Sequence, residues 1–251
     1  MNDLSRRRAL GTLGGGALLL GGCDRLAATQ PLQHAFHGAE GLTYRVQRLL
    51  TPRDAMAPEF HGADLSPVFR SNGTAMPASA DYAASLASDF RDYRLHVGGL
   101  VARPLAIPLD RLKALPQRAQ ITRHDCVEGW SAIGKWTGPA LGPILRFAGL
   151  SQAARYVVFH CFDDFGGTAY YESIDLVDAF HPQTILAWAL NDRPLPVANG
   201  APVRVRIERQ LGYKHAKYVR AIEAVASLDR IGRGKGGYWE DVGDYAWYAG
   251  I

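Results

Sequence analysis

Three cysteines, at positions 23, 126 and 161, are spread over 251 residues, and one of them stands where a metal ligand would be expected. Cys126 lies in the run Thr122-Arg-His-Asp-Cys-Val-Glu-Gly-Trp-Ser131, where an apolar-to-polar alternation meets Gly129. That pattern is a strand running into a loop, a place from which a side chain can be presented to a bound group. A thiolate is a soft, anionic ligand suited to a high-valent thiophilic metal. Two other readings stand beside it: a buried thiol packed as a small hydrophobe, or a disulfide between Cys126 and Cys161. His124 and Asp125 suggest a zinc or hydrolytic site, but no second cluster at metal-ligand spacing accompanies them in the sequence.

Two further runs carry groups suited to an anion. They are Asn199-Gly-Ala-Pro-Val-Arg204 and Leu211-Gly-Tyr-Lys-His-Ala-Lys217. Arg204, Lys217 and the loop at His215-Ala216 could supply the cations and backbone donors that a phosphate needs. Asn199 next to Gly200 sets an amide side chain beside permissive backbone, able to read a hydrogen-bonding edge at close range. Taken singly, each has an ordinary explanation. Arg204 on the polar face of a strand would be solvated, Lys214 and Lys217 would be exposed loop charges, and Asn199-Gly200 would be a turn. Trp130 and Trp136 read as core residues.

The elements that must position these groups form a mixed α+β pattern. Strands are expected at Tyr93 to Val97, turning at Gly98-Gly99 into Leu100-Val101, and at Ile121 to Cys126. Tyr156 to Cys161 is a near-continuous apolar run, hence a buried central strand. In Val203 to Ile207 the apolar side chains face one way and Arg204 and Arg206 the other. Tyr218 to Val225 is expected to close the sheet. Short helices are expected from Asp110 to Leu115, from Pro139 to Phe147 with Gly149 as terminator, and from Ser173 to Phe180. Strand runs with interspersed short helices argue for α+β rather than a doubly wound sheet.

The first residues read as an address. Ser5-Arg-Arg-Arg-Ala-Leu10 is a twin-arginine export motif, and the Gly-diluted apolar stretch after it is shorter than the ~20 residues of a spanning helix. It ends in Leu20-Gly-Gly-Cys23, a lipobox in which Cys23 would be lipidated; a soluble signal cleaved near Ala27-Ala28 is the alternative. Residues 1–22 are therefore assigned to the signal and 23–66 to a tether with a first strand around Leu42 to Val46. Residues 67–251 are assigned to the main domain. Loss of three arginines and Asp3 with the signal lowers the formal charge from +4 to +2. With no basic run along a helix face, nucleic-acid binding is not expected. The remaining length suffices for one well-buried domain.

From about Arg91 to Val225 the chain resembles the sulfite-oxidase-like molybdopterin-binding domain family. The elements that carry the resemblance are Cys126-Val-Glu-Gly-Trp130, Asn199 to Arg204 and Leu211 to Lys217, with a lead-in at Phe69-Arg-Ser-Asn-Gly73. It looks closer to the periplasmic protein-methionine-sulfoxide reductase branch than to the sulfite oxidases. Those follow the ligand cysteine with Ala-Gly-Asn-Arg and carry a C-terminal dimerisation domain, and neither appears here. The resemblance implies a single sulfite-oxidase-type domain holding Mo-molybdopterin, with Cys126 as the metal ligand. It implies cofactor contacts from Phe69, Arg70, Asn72, Cys161, Asn199, Arg204, His215, Ala216 and Lys217. Cys161 stands where that branch typically has threonine. The expected activity is reduction of a small or protein-side-chain sulfoxide, fed by a membrane electron donor (a haem protein or a quinol-linked one). Oxidation of sulfite at a cation cluster of Arg70, Arg123 and Arg204 is one alternative, and a non-catalytic lipid-anchored binding protein another. The expected location is the periplasmic side of the inner membrane.

Overall fold

The structure, a computed structural model, describes residues 29–251, with backbone alone for residues 30–37. The export motif, the lipobox and Cys23 lie outside the described residues. Contacts divide the chain after Thr51.

In the first unit the described part is one helix, α1 (Gln30–Leu50). The strand expected at Leu42 to Val46 is therefore corrected to helix. Leu32, Phe36, Ala39, Leu42, Val46 and Leu49 recur every three or four residues, and Pro31 occupies the first turn, where its missing N–H costs nothing. Gly38 and Gly41 obscure the pattern, at about 1 kcal/mol of helix propensity each. Among the described residues no helix is long and apolar enough to cross a membrane.

The second unit, Pro52–Ile251, holds the remaining elements. In chain order they are α2 (Ala80–Ala87), β1 (Arg94–Gly99), β2 (Leu105–Pro108), α3 (Leu109–Ala114), β3 (Gln117–Cys126), β4 (Trp130–Pro139), α4 (Leu141–Ala148) and β5 (Tyr156–Phe165). There follow β6 (Thr168–Asp175), α5 (Leu176–Ala179), β7 (Ile185–Ala187), β8 (Ala189–Leu190), β9 (Arg193–Pro194), β10 (Arg204–Arg206), β11 (Val219–Val225) and α6 (Tyr238–Gly243). A five-stranded sheet runs β2-β1-β11-β5-β6, a four-stranded one β3-β4-β8-β9, and β10 pairs with β7. The main core gathers Leu95 and Val97 of β1, Val157 and Phe159 of β5 and Ile222 of β11 with Leu141 and Leu145 of α4. This is the expected α+β class.

Several boundaries differ from expectation for local reasons. Strand β1 pairs with Leu105–Pro108 rather than with Leu100-Val101. Gly99 at φ +75° turns the chain so that the Leu100 N–H donates to the Ala224 carbonyl at 2.7 Å. Strand β11 sits in the middle of its sheet instead of closing it, parallel to β1 and antiparallel to β5. The helix expected from Ser173 begins only at Leu176, because Ser173 and Ile174 pair with Val158 and Val157, and the Asp175 carboxylate then caps the turn. Pro139 ends β4 opposite Gln117, so α4 starts at Leu141; Gly149 terminates it at φ +73°, as expected.

Candidate functional site

Cys126 is the last residue of β3, paired with Trp130 across a three-residue turn. Gly129 adopts φ +84° there, and its N–H donates to the Cys126 carbonyl at 3.0 Å. This is the left-handed position a three-residue hairpin needs. Alternation along β3 buries Gln120, Thr122, His124 and Cys126 on one face. Arg123 and Asp125 take the other face, where they form an ion pair at 2.9 Å. Cys126 is a free thiol that lines a cavity of about 180 Å³, and burial raises its pKa. Cys161 is also free, so the two are not joined.

Across from β3, strand β10 turns Arg204 and Arg206 inward, and both are fully buried. The expectation that an arginine on this face would be solvated fails because the face is covered. The Trp136 ring on β4 lies 5.0 Å from the Arg204 guanidinium and 4.4 Å from that of Arg206. Arg206 is neutralised by a two-point pair with Glu208, at 2.9 and 2.6 Å. Its third contact, at 2.9 Å, reaches His124 Nδ1. Among the described residues Arg204 has no carboxylate partner. It donates to the carbonyls of Asn199 (3.1 Å) and His215 (3.2 Å), and its Nε finds no partner. Burial and neighbouring Arg206 lower its pKa to about 9.

The two histidines are neutral, for burial and the arginines hold both well below the usual imidazole value. His124 accepts from Arg206 at Nδ1, so its proton is on Nε2, which is buried without a partner. His215 donates from Nε2 to the Gln210 carbonyl at 3.0 Å, leaving Nδ1 an unpaired buried acceptor. The rings meet edge-on at 5.1 Å. Gly212 is required beside them, since a Cβ there would come within 2.5 Å of the His124 ring.

Lys217 closes the site from the 3-10 turn at Gly212–Lys214 onward. Its ammonium donates to the carbonyls of Asn72 (2.6 Å), Thr74 and Ala198 (3.0 Å), which ties the 69–74 loop to the turn at Val197–Asn199. Asn199 adds a contact from Nδ2 to the Arg70 carbonyl at 3.5 Å. Gly200, at φ +110°, lets the Lys217 stem approach within 2.9 Å of where a Cβ would stand. Burial and Arg204 lower the Lys217 pKa to about 7.

Four of the expected contacts thus share one cavity wall: Asn72, Cys126, His215 and Lys217. Asn199 and Arg204 stand directly behind it, the latter hydrogen-bonded to the first and to His215. Phe69 packs edge-on to Trp136 at 5.0 Å and near His124 at 5.8 Å. Arg70 is exposed and contributes its carbonyl. Ala216 is buried, with its carbonyl accepting from the Val205 N–H at 2.9 Å. Cys161 lies in the main core on β5, two residues before Asp163, which does line the cavity. Arg70, Arg123 and Arg204 do not gather: the first is exposed, the second is on the outer face of β3, and the third is buried.

Sequence reasoning assigned no site role to the other polar and aromatic side chains that line the cavity, among them Glu128, Asp163, Phe165, Tyr170, Tyr213, Trp239 and Tyr245. It also missed the support beneath them. Lys214, expected at the surface, is fully buried between Glu172 (2.5 Å) and Glu240 (2.7 Å), and so holds α6 against β6.

The residues suit an anionic, hydrogen-bonding cofactor. Among the described residues neither Arg204 nor Lys217, both buried, has a carboxylate in contact, a costly arrangement for a cation unless an anion joins them. Arg204 Nε, His124 Nε2 and His215 Nδ1 offer unpaired donors and an acceptor. Among the described residues no three His, Cys, Asp or Glu side chains form a metal cage, so the protein's share of a metal here would be the single thiolate of Cys126.

Residues 82–229 match the family described as the oxidoreductase molybdopterin binding domain. A protein of Azospira oryzae with the provisional name protein-methionine-sulfoxide reductase subunit YedZ1 is 46% identical over 162 residues, 64% of this chain and 57% of that one. The protein-methionine-sulfoxide reductase catalytic subunit MsrP of Xanthomonas axonopodis pv. citri is 31% identical, over 63% of this chain and 52% of its own. That of Ralstonia nicotianae is 34% identical, over 61% and 49%. The chain thus spans about half the length of the curated relatives it matches. The sulfane dehydrogenase SoxCD of Paracoccus pantotrophus shares the fold at 20% identity and a TM-score of 0.50, over 55% of this chain and 39% of its own. With more than half of its residues inside the match, and with Cys126 and the buried cations on one cavity, the chain belongs to the oxidoreductase molybdopterin binding domain family, whose cofactor is Mo-molybdopterin.

Proposed function

We propose that this chain is the molybdenum-carrying part of an exported oxidoreductase that removes the oxygen of a sulfoxide, free or on a protein methionine. The reaction takes a sulfoxide, two protons and two electrons to a thioether and water, and the bound molybdenum supplies its two-electron redox chemistry. Cys126 would hold the metal as a thiolate. Arg204 and Lys217 would face the cofactor's phosphate, and His215 Nδ1 and Asn72 would meet hydrogen-bonding edges of the pterin. Arg206, pinned by Glu208, fixes the His124 tautomer and leaves Nε2–H available at the same wall.

One observation carries the choice of substrate. Beside Cys126 the cavity is lined by Glu128, Asp163, Phe165, Tyr213, Trp239 and Tyr245, and Lys217 is the one cation lining it among the described residues. With Lys217 engaged by the cofactor's phosphate, the carboxylates and aromatic faces that remain disfavour a second anion such as a sulfur oxyanion and suit a neutral sulfoxide with an apolar body. The names carried by the relatives from Azospira, Xanthomonas and Ralstonia point the same way. We place the protein on the outer face of the cytoplasmic membrane through lipid at Cys23, with electrons supplied by a haem-containing or quinol-linked membrane protein. Protein matured in a cell able to make molybdopterin, assayed with a reduced viologen dye, should turn over methionine sulfoxide and leave sulfite untouched. Sulfite oxidation without sulfoxide reduction would overturn the reading.

A further inference from the structure

At the other end of the β3–β4 hairpin from Cys126 lies a groove of about 720 Å³, within the size range of small-molecule sites. Its walls are apolar: Leu105 and Ile107 of β2, Leu115, Ile144 and Phe147 of α4, and Phe180. Phe147 is 64% exposed, unusual for a phenyl ring beside a concave apolar surface. Arg111, Arg118 and Arg146 line the same groove, and among the described residues no aspartate or glutamate does. Arg118 is already paired with Glu59. Arg146 lies over the Phe180 ring at 5.3 Å, and among the described residues neither it nor Arg111 has a carboxylate partner.

Guanidinium forks match carboxylate and phosphate groups, and the apolar walls match a hydrocarbon chain. We infer that this groove binds an amphipathic anion, a carboxylate or phosphate head on an apolar chain. The head is received by Arg111 and Arg146, and the chain lies along Leu105, Ile107, Ile144 and Phe147. The groove reaches β3 at Gln117 and Arg118, nine or so residues before Cys126. At about 3.4 Å per residue that is roughly 30 Å, so the ligand is separate from the candidate metal site, and the inference stands apart from the proposed reaction.

Calorimetric titration of the holoprotein with laurate, with dodecanol as the uncharged control, tests it. Laurate should bind saturably and at least tenfold more tightly than dodecanol. The double variant Arg111→Ala, Arg146→Ala should lose at least tenfold, with an unchanged melting temperature because both side chains are at the surface. Phe147→Asp, which keeps the arginines, should lose a similar factor. A second arm uses vesicles of phosphatidylglycerol or phosphatidylcholine. Laurate binding alone identifies a free amphiphile. Binding to anionic vesicles that the same variants abolish identifies a lipid of the membrane surface. No binding in either arm, or binding that survives both variants, overturns the inference.

Discussion

Lys217 is held in a setting that disfavours its charge, and the consequence is measurable. Burial and Arg204 lower its pKa to about 7, against an unfolded value near that of free lysine. Above pH 7 the unfolded chain therefore binds a proton that the folded one has released, and stability rises with pH. The empty protein should gain up to about 1 kcal/mol per pH unit between pH 7 and 8.5, and Lys217→Met should flatten that slope in denaturant titrations. An unchanged slope would mean that the ammonium is solvated. Cys126, Asn199 and Lys217 were singled out by the family resemblance of the runs they stand in; taken singly, Asn199-Gly200 reads as a turn and Lys217 as an exposed loop charge, and only the structure sets Cys126 and Lys217 on one cavity wall with Asn199 behind it. Arg206 with Glu208, and Trp136 beneath the two arginines, were not singled out. Their roles arise only when β10 is laid over β4, and nothing local signals that contact. Asp163, on the cavity wall from β5, was missed for the same reason.

Among elements, α6 is tied to β6 by a buried ammonium shared between two carboxylates, Glu172 and Glu240, and by a hydrogen bond from the Tyr171 hydroxyl to Asp241. Burial and Glu240 raise the Glu172 pKa well above the usual value, with Lys214 the opposing influence. Lys214→Met would leave the two carboxylates facing each other without a cation, at a cost of about 3–5 kcal/mol. Chemical denaturation should show that loss, larger at pH 8 than at pH 5, where protonation relieves the repulsion. Equal losses at both pH values would show that the carboxylates are already neutral. The α+β class, the hairpin arm that ends at Cys126 and the apolar strand at Tyr156 were readable from alternation and from turn residues. Partner choice was not. Which strand β1 pairs with depended on where the Leu100 N–H finds an acceptor, and the length of β6 depended on pairing with β5. The helix Gln30–Leu50 was misread because two glycines and scattered polar residues hide a 3.6-residue repeat.

At the scale of the whole molecule, the cofactor domain follows an N-terminal run that we propose to be an export signal with a lipid anchor at Cys23. A cofactor inserted in the cytoplasm requires export of a folded protein, which is what a twin-arginine route accepts. Several lipid chains hold a protein at a membrane where one does so only marginally. Fractionation should find wild-type protein with the membrane and Cys23→Ala protein in the soluble periplasmic fraction; soluble wild type would refute the anchor. The central claim is that Cys126 is the one protein ligand of a molybdenum centre. It is tested most directly by molybdenum analysis with electron paramagnetic resonance of the exported protein, wild type beside Cys126→Ala. Wild type should carry about one molybdenum per chain and a paramagnetic signal in its half-reduced form. Cys126→Ala should fold to the same melting temperature within a few degrees and lack that signal. An unaltered molybdenum signal in Cys126→Ala would contradict the account.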